Sequence, residues 1–219
     1  MNLSEGTLSV LKNFAQINPS LLFEPGSTLR TVSPQKTVLA KAKIAEKMPQ
    51  QFAIYDLPQL LGVISMYEEY ELAFSDTKMQ IANGMKSTNF FFADPGAIIS
   101  PPDKEVKVEN AEIEFTLTDK VLQEIIKAAQ IHGTPKIAII GADGIMSITA
   151  IDTDNPTANS TSIKLGETDA TYQMIFAIEN FKLLPREYKV SITSGGVSFF
   201  EAEDVEYFIA ADRSSTYTG

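Results

Sequence analysis

"LSEGTLSVLKNFAQIN" occupies residues 3–18, and at residues 117–132 the chain reads "LTDKVLQEIIKAAQIH". Leu3, Leu8, Ala15, Gln16 and Ile17 recur 114 residues later as Leu117, Leu122, Ala129, Gln130 and Ile131, and Ser4-Glu5 recurs in kind as Thr118-Asp119. Each copy opens with a hydroxyl residue of the type that caps a helix, followed by an acid at the positive end of the helix dipole. A second match pairs "FAIYDLPQLL" (52–61) with "FAIENFKLLP" (176–185), and a third pairs "YELAFS" (70–75) with "YKVSIT" (188–193). The third runs on through "FFFAD" (90–94) and "YFIAAD" (207–212), so that Asp94 and Asp212 close the two copies. Three collinear matches mark an internal duplication. The offsets of 114, 124 and 118 place a net ten-residue insertion in copy two, assigned to "DTDNPTANSTS" (152–162), and a six-residue deletion after its second match.

Both copies read as mostly strand with two short helices, an α+β class. Copy one carries "SLLFEP" (20–25), "TVLAKAKIA" (37–45) and "QQFAI" (50–54). Copy two carries "KIAIIGA" (136–142), "GIMSITAI" (144–151), "TSIKLG" (161–166) and "TYQMIFAI" (171–178), with "GADG" (141–144) as a hairpin turn. A brief second helix is expected after Asp56 and again after Asn180, both capping residues, and three closing strands follow in each copy. The Pro- and charge-rich stretch "PGAIISPPDKEVKVENA" (95–111) reads as an extended connector. The expected organisation is therefore domain 1 over 1–94, connector over 95–111 and domain 2 over 112–219.

Composition narrows the function classes. The 219 residues are 44% apolar, enough for a substantial core, and no apolar run approaches the length of a membrane span. The absence of cysteine excludes disulfides, thiolate metal sites and thiol nucleophiles, and fits a reducing cytosol. A formal charge of −10 argues against a surface that grips nucleic acid everywhere, while leaving local basic patches open. Catalysis finds no support. His132, the only histidine, precedes Gly133 at a helix end; "IDTDNPTANS" lacks the glycine and terminal Glu of a calcium loop; "EAEDVE" (201–206) reads as a solvated strand edge. No phosphate-cradling loop, metal site or cofactor motif is present.

The repeated helices each have a face to spare. On a helical wheel, one half of the first carries Glu5, Ser9, Lys12, Asn13 and Gln16; the matching half of the second carries Asp119, Lys120, Gln123, Lys127 and Gln130. In a chain with 28 acids against 18 bases, the centres of both faces hold only amides, a hydroxyl and lysines. Two readings stand: a pair of solvated faces, or a surface that meets a polyanion loosely through lysines and amides. A further apolar feature, Ile98 and Ile99 in the connector with the closing strand "YFIAAD", reads as core or as a groove for a partner's peptide. On the residues alone, a duplicated non-enzymatic scaffold or ligand-binding module also fits.

"LKNFAQIN" (11–18), "FAIYDLPQLLGVIS" (52–65) and "FFFADP" (90–95), in this order, resemble the sliding clamps of T-even-type bacteriophages, the processivity factors of the replicative DNA polymerase. The resemblance implies a DNA-clamp fold of two duplicated domains, each with two helices on antiparallel sheet. It also implies a homotrimeric ring around duplex DNA with the repeated helices on its inner wall. The DNA-facing residues would be Lys12, Asn13, Gln16, Lys120, Gln123 and Lys127, with Lys182 and Arg186 from the second short helix. Subunits would join through edge strands near Lys86, Asn89 and Phe91 and near Ser162, Lys164 and Leu165. The C-terminal peptide of the polymerase would use Ile98, Ile99, Phe208 and Ile209. The family further implies an ATP-driven clamp loader, a link to late transcription, no enzymatic activity, no cofactor, no membrane partner, and residence in the cytoplasm of a bacterial host.

Overall fold

The computed structural model describes residues 1–102, 106 and 108–219. The chain divides into two compact units, Met1–Asp103 and Lys104–Gly219. In the first unit the order is α1 (Glu5–Ile17), β1 (Leu21–Phe23), β2 (Gly26–Val32), β3 (Val38–Met48), β4 (Phe52–Ile54), α2 (Leu57–Ser65), β5 (Glu71–Phe74), β6 (Lys78–Ala82) and β7 (Ser87–Phe91). Ser4 caps α1 by accepting from the Thr7 N–H at 3.2 Å, and Asp56 caps α2 by accepting from Gln59 N–H at 2.8 Å. Glu46 reaches back from β3 to accept from Ser4 N–H and the Thr7 hydroxyl. Burial pushes its carboxyl pKa up, but these bonds outweigh it and hold the group below its ordinary value. β1 pairs with β4, β2 with β3, and β5, β6 and β7 form a three-stranded meander, all antiparallel. α1 packs on β3 and α2, burying Val10, Leu11, Phe14 and Ile17. Phe52 stacks between Phe23 at 4.4 Å and Phe92 at 4.8 Å.

The second unit runs β8 (Ile113–Leu117), α3 (Asp119–His132), β9 (Lys136–Ala142), β10 (Ile145–Ile151), β11 (Thr161–Glu167), β12 (Thr171–Ala177), β13 (Tyr188–Ile192), β14 (Val197–Glu201), β15 (Val205–Ala210) and β16 (Thr216–Thr218). α3 lies on β9, β10 and β11, which belong to a five-stranded sheet of order β11-β10-β9-β12-β16. A second ladder runs β15-β14-β13-β8. β9 and β10 meet through Asp143 and Gly144 at φ 52° and 79°, the left-handed pair a two-residue hairpin demands. Tyr188 and Tyr207 are fully buried around Leu184: Tyr188 donates to its carbonyl at 2.7 Å, and Tyr207 accepts from its N–H at 3.3 Å.

Two expectations need correction. No α-helix follows Asn180; the segment makes one 3₁₀ turn, Ile178–Asn180. Sixteen residues (55–70) connect β4 to β5, but only ten (178–187) connect β12 to β13, so the six-residue deletion removes the helix itself. Pro185 then bars Leu184 from helical geometry. "EAEDVE" is not a strand edge but the β14–β15 turn, closed by Ala202 N–H donating to the Val205 carbonyl at 2.9 Å. The matched letters of the two long helices are also out of phase with their burial. Val10 and Phe14 point inward in α1, while Leu122, Ile125 and Ala129 do so in α3, which is one residue longer. Core positions 10 and 14 thus correspond to 125 and 129, an offset of 115 rather than 114.

Candidate nucleic-acid interface

At the corrected offset, Lys12 and Lys127 fall on equivalent positions, and both are exposed. On α1, Glu5, Ser9, Lys12 and Gln16 form the outward face. Asn13 does not belong to it: it sits at the margin of the wheel, about 40° from Ile17 at 100° per residue, and is only 6% exposed. On α3 the outward face holds Lys120, Gln123, Glu124, Lys127, Gln130 and Ile131. Lys120 lies 3.9 Å from Glu124, and the Gln123 amide donates to Asp119 at 3.1 Å. Among the described residues no acid pairs with Lys12 or Lys127, so these are the lysines whose charge is not offset. Ile131, 71% exposed one turn beyond Lys127, was not anticipated: its letter match, Ile17, is buried, but α3 buries a different stripe, Leu122, Ile125 and Ala129, from the one its letters match in α1.

The remaining predicted cations behave differently. Lys182 is half-buried just after the 3₁₀ turn. Arg186 forks onto Asp204 through Nε at 3.3 Å and Nη2 at 3.2 Å, and the Asp204 hydrogen bond raises its pKa further. Its guanidinium is committed to the β14–β15 turn. α2 has no base of its own, but Lys86 folds back to donate to the Met66 carbonyl at 2.6 Å and lies 4.2 Å over the Tyr67 ring. It thus supplies the cation that a helix C-terminus favours.

The two strands expected at subunit contacts are both outermost in their ladders: β7 in β5-β6-β7, and β11 in the five-stranded sheet. On β7, Asn89 and Phe91 are exposed, Phe91 at 67% with Lys78 Nζ 5.6 Å above its ring. On β11, Ser162 and Lys164 are exposed and Leu165 half-buried; Lys164 lies 3.8 Å from Glu167. His132 ties the end of α3 to this strand through Thr161 at 2.8 Å. Of the apolar quartet, Ile99 is exposed and Phe208 half-buried against Phe199, centroids 4.6 Å apart. Ile98 is 9% exposed and Ile209 not at all, because alternation along β15 sends Val205, Tyr207 and Ile209 inward. Ile209 is a core residue and is withdrawn as a groove contact. The connector expected over 95–111 includes residues 103–105 and 107, which lie outside the described residues.

Among the described residues no group of three or more His, Asp or Glu is placed to hold a metal. Asp152 accepts from the Asp154 N–H, and Asn155 from Thr157, so this loop spends those side chains on its own turns. Among the described residues no helix is long and apolar enough to cross a membrane.

A family model described as "gp45 sliding clamp, C terminal" matches residues 114–213, and one described as "DNA polymerase processivity factor" matches residues 4–86. The "Sliding clamp" of Vibrio phage KVP40 is 31% identical over 97% of this chain and 99% of its own length. That of Enterobacteria phage T4 is 28% identical over 99% of each. Among solved structures, Proliferating Cellular Nuclear Antigen from Entamoeba histolytica superposes with a TM-score of 0.68 at 13% identity, covering 94% of both chains. A. fulgidus PCNA, solved with the C-terminal region of FEN-1 bound, gives 0.67 at 14% identity, again over 94% of both. At these identities the structural likeness establishes the fold alone.

Proposed function

The chain belongs to the sliding-clamp family, and on that premise we propose that three copies close into a ring around duplex DNA and tether a replicative DNA polymerase to its template. The observation that carries this reading is the equivalence of Lys12 and Lys127. A chain of net charge −10 keeps, at the centre of the outward face of each long helix, one lysine with no acid partner among the described residues. Gln16 and Gln123 flank them with amides that reach phosphates without fixing a register. Acids elsewhere discourage DNA from binding outside the ring.

Mechanism follows from topology. A closed ring cannot leave a long duplex sideways, so the inner contact can be weak and independent of sequence while the protein slides. Tethering then raises the local concentration of polymerase at the primer end without altering its chemistry. The clamp itself turns over no substrate. Lys12, Gln16, Lys120, Gln123 and Lys127 form the DNA-facing set, with Lys182 at its margin. Asn13 and Arg186 drop out, the first by burial and the second by its pairing with Asp204. β7 and β11 are the strands through which copies join head to tail, a heterologous contact that closes into a ring. Ile99 and Phe208 are the apolar contacts for the polymerase C-terminal peptide. The A. fulgidus relative with a bound FEN-1 C-terminal region supports a peptide as the class of partner. The segment 95–111 serves as connector between clamp domains 1–94 and 112–219. Ring opening by an ATP-driven loader, coupling to late transcription and residence in the bacterial cytoplasm complete the proposal.

The test is loading. Native mass by light scattering should show a species near three times the 24.0 kDa subunit. That species should be retained on nicked circular DNA and lost when the circle is cut. A monomer at every concentration, or retention indifferent to linearisation, would overturn the reading and revive the scaffold alternative.

A further inference from the structure

Asn18 ends α1, and its side chain is among the most fully employed in the first unit. It is 3% exposed. Its amide nitrogen donates to the Val32 carbonyl at 2.9 Å and the Ile99 carbonyl at 3.1 Å, and its amide oxygen accepts from the Ser20 N–H at 2.9 Å and hydroxyl at 3.0 Å. Both donors and both acceptor sites of the amide are used. Three residues along the connector, the Pro102 carbonyl accepts from Arg30 Nη2 at 2.5 Å. Arg30 lies on β2, the strand that ends at Val32.

Helix capping does not explain this residue. Its backbone is extended, at φ −145° and ψ 125°, so it is not the left-handed cap for which asparagine or glycine is chosen. The equivalent position after α3 is Gly133, at φ 69°, which has no side chain at all. The second unit needs only a helix stop there. The first has in addition a segment to hold.

We infer that Asn18 and Arg30 form a two-point latch that fixes the first residues of the connector on β2 and so decides which of its two isoleucines is presented. Successive side chains of an extended segment point to opposite sides. With the Ile99 carbonyl held on Asn18, Ile98 turns inward and Ile99 outward. Ile98 is extended, at φ −117° and ψ 149°, and its N–H closes the 3₁₀ turn Pro95–Ala97 on the Pro95 carbonyl at 3.4 Å, so that turn holds the segment up to Ile98 and the latch holds it from Ile99 onward. Asn18 and Arg30 are thus positioning residues for Ile99. Their consequence for polymerase binding rests on the reading of Ile99 as a partner contact; the latch itself does not.

The absence of cysteine allows a direct test on the full chain: a single nitroxide at Ser100→Cys, an exposed position, read by electron paramagnetic resonance. In the otherwise native chain the label should be held by the segment beneath it. Arg30→Gln, at a half-buried site outside the core, and Asn18→Asp, which keeps the Ser20 acceptor but cannot donate to Ile99, should each release it to about nanosecond motion. Ser20→Ala, which leaves both donations intact, should not. The cognate polymerase's C-terminal peptide should bind roughly three- to tenfold more weakly to the two latch variants than to Ser20→Ala, a loss of the size of one hydrogen bond. An equally immobile label in the Arg30→Gln chain and in a folded Asn18→Asp chain would overturn the latch. A peptide that fails to bind even the native chain, with the label released as expected, would leave the latch standing and refute Ile99 as the partner contact.

Discussion

Lys127→Ala isolates the electrostatic part of the proposed inner wall. Three lysines lie on the outward faces of α1 and α3, but Lys120 has Glu124 3.9 Å away, and the pair is exposed on both sides, so its net charge to a passing phosphate is small. Lys12 and Lys127 are the two that count. A trimer then carries six such cations, and the substitution removes three. Each neutralised phosphate contributes about 0.9 to the slope of log K against log salt, so the slope should fall by about 2.7 if all three lysines touch at once and by about 0.9 if a tilted duplex meets one at a time. Between about 50 and 200 mM salt this is the difference between a roughly 40-fold and a roughly 4-fold dependence lost. The assay is fluorescence anisotropy of a short open-ended duplex titrated with assembled clamp at several salt concentrations, with light scattering confirming that the ring persists. Gln123→Ala serves as the control that weakens binding without moving the slope. An unchanged slope for Lys127→Ala, or an equal fall for Lys120→Ala, would refute the reasoning that separates paired from unpaired lysines on this face.

Phe91→Glu, on the outer edge of β7, should convert the assembled species to the 24.0 kDa chain in light scattering while moving chain stability by no more than about 0.5 kcal/mol, as expected at an exposed site. Retention of the larger mass would remove β7 as the joining edge. Ile99→Glu should leave the ring intact and weaken the polymerase peptide at least about tenfold, since a carboxylate would have to be desolvated against an apolar partner; undiminished polymerase stimulation would show that the groove lies elsewhere. Asp212 is held at about 2, below its ordinary 3.8, by the Ser214 N–H and hydroxyl and then by Lys136 at 3.2 Å. Because the folded value is depressed, its contribution is present above pH 3.8 and fades as the pH falls through about 2. Lys136→Met should therefore shrink the acid-induced loss of stability in that window, measured by denaturant unfolding at stepped pH; an identical acid profile would deny the pair its role.

What could be read from the chain depended on whether a local signal controlled the geometry. Ser4 and Thr118 declare the two long helices because a hydroxyl before an acid satisfies helix N–H groups locally, and Asp143-Gly144 declares its hairpin because few residues accept positive φ at both positions. β2 carried no such signal. "GSTLRTV" has only two large apolar residues, Leu29 and Val32, between a Pro-Gly and a Ser-Pro turn, and it is strand because β3 pairs with it. With β2 unrecognised, Arg30 and its grip on Pro102 were out of reach. Asn13 and Ile131 failed for another reason. Both lie where one residue of register decides between core and solvent, and letter matching at 114 concealed that the buried stripe of α3 aligns with that of α1 at 115. The faces themselves were legible; their margins were not.

The deletion after β12 bears on how even the inner wall is. A strict duplication would give each chain four helices and a ring with near-sixfold repetition of one lining. Here the first unit has α1 and α2, and among the described residues the second has α3 alone. The bases differ as well. α2 carries none, while the shortened segment of the second unit carries Lys182 and an Arg186 that Asp204 holds. In the proposed trimer, what repeats six times is therefore only the long helix with its single central lysine, Lys12 or Lys127. That is the minimum the proposed sliding surface requires: unforked cations that a phosphate can exchange one for the next. A ring whose long-helix lysines were doubled would bind duplex more tightly but would slide against a rougher electrostatic surface, so Gln16→Lys, one turn beyond Lys12, should raise affinity for duplex while slowing diffusion along it. Faster diffusion with tighter binding would show that the lysines do not set the friction.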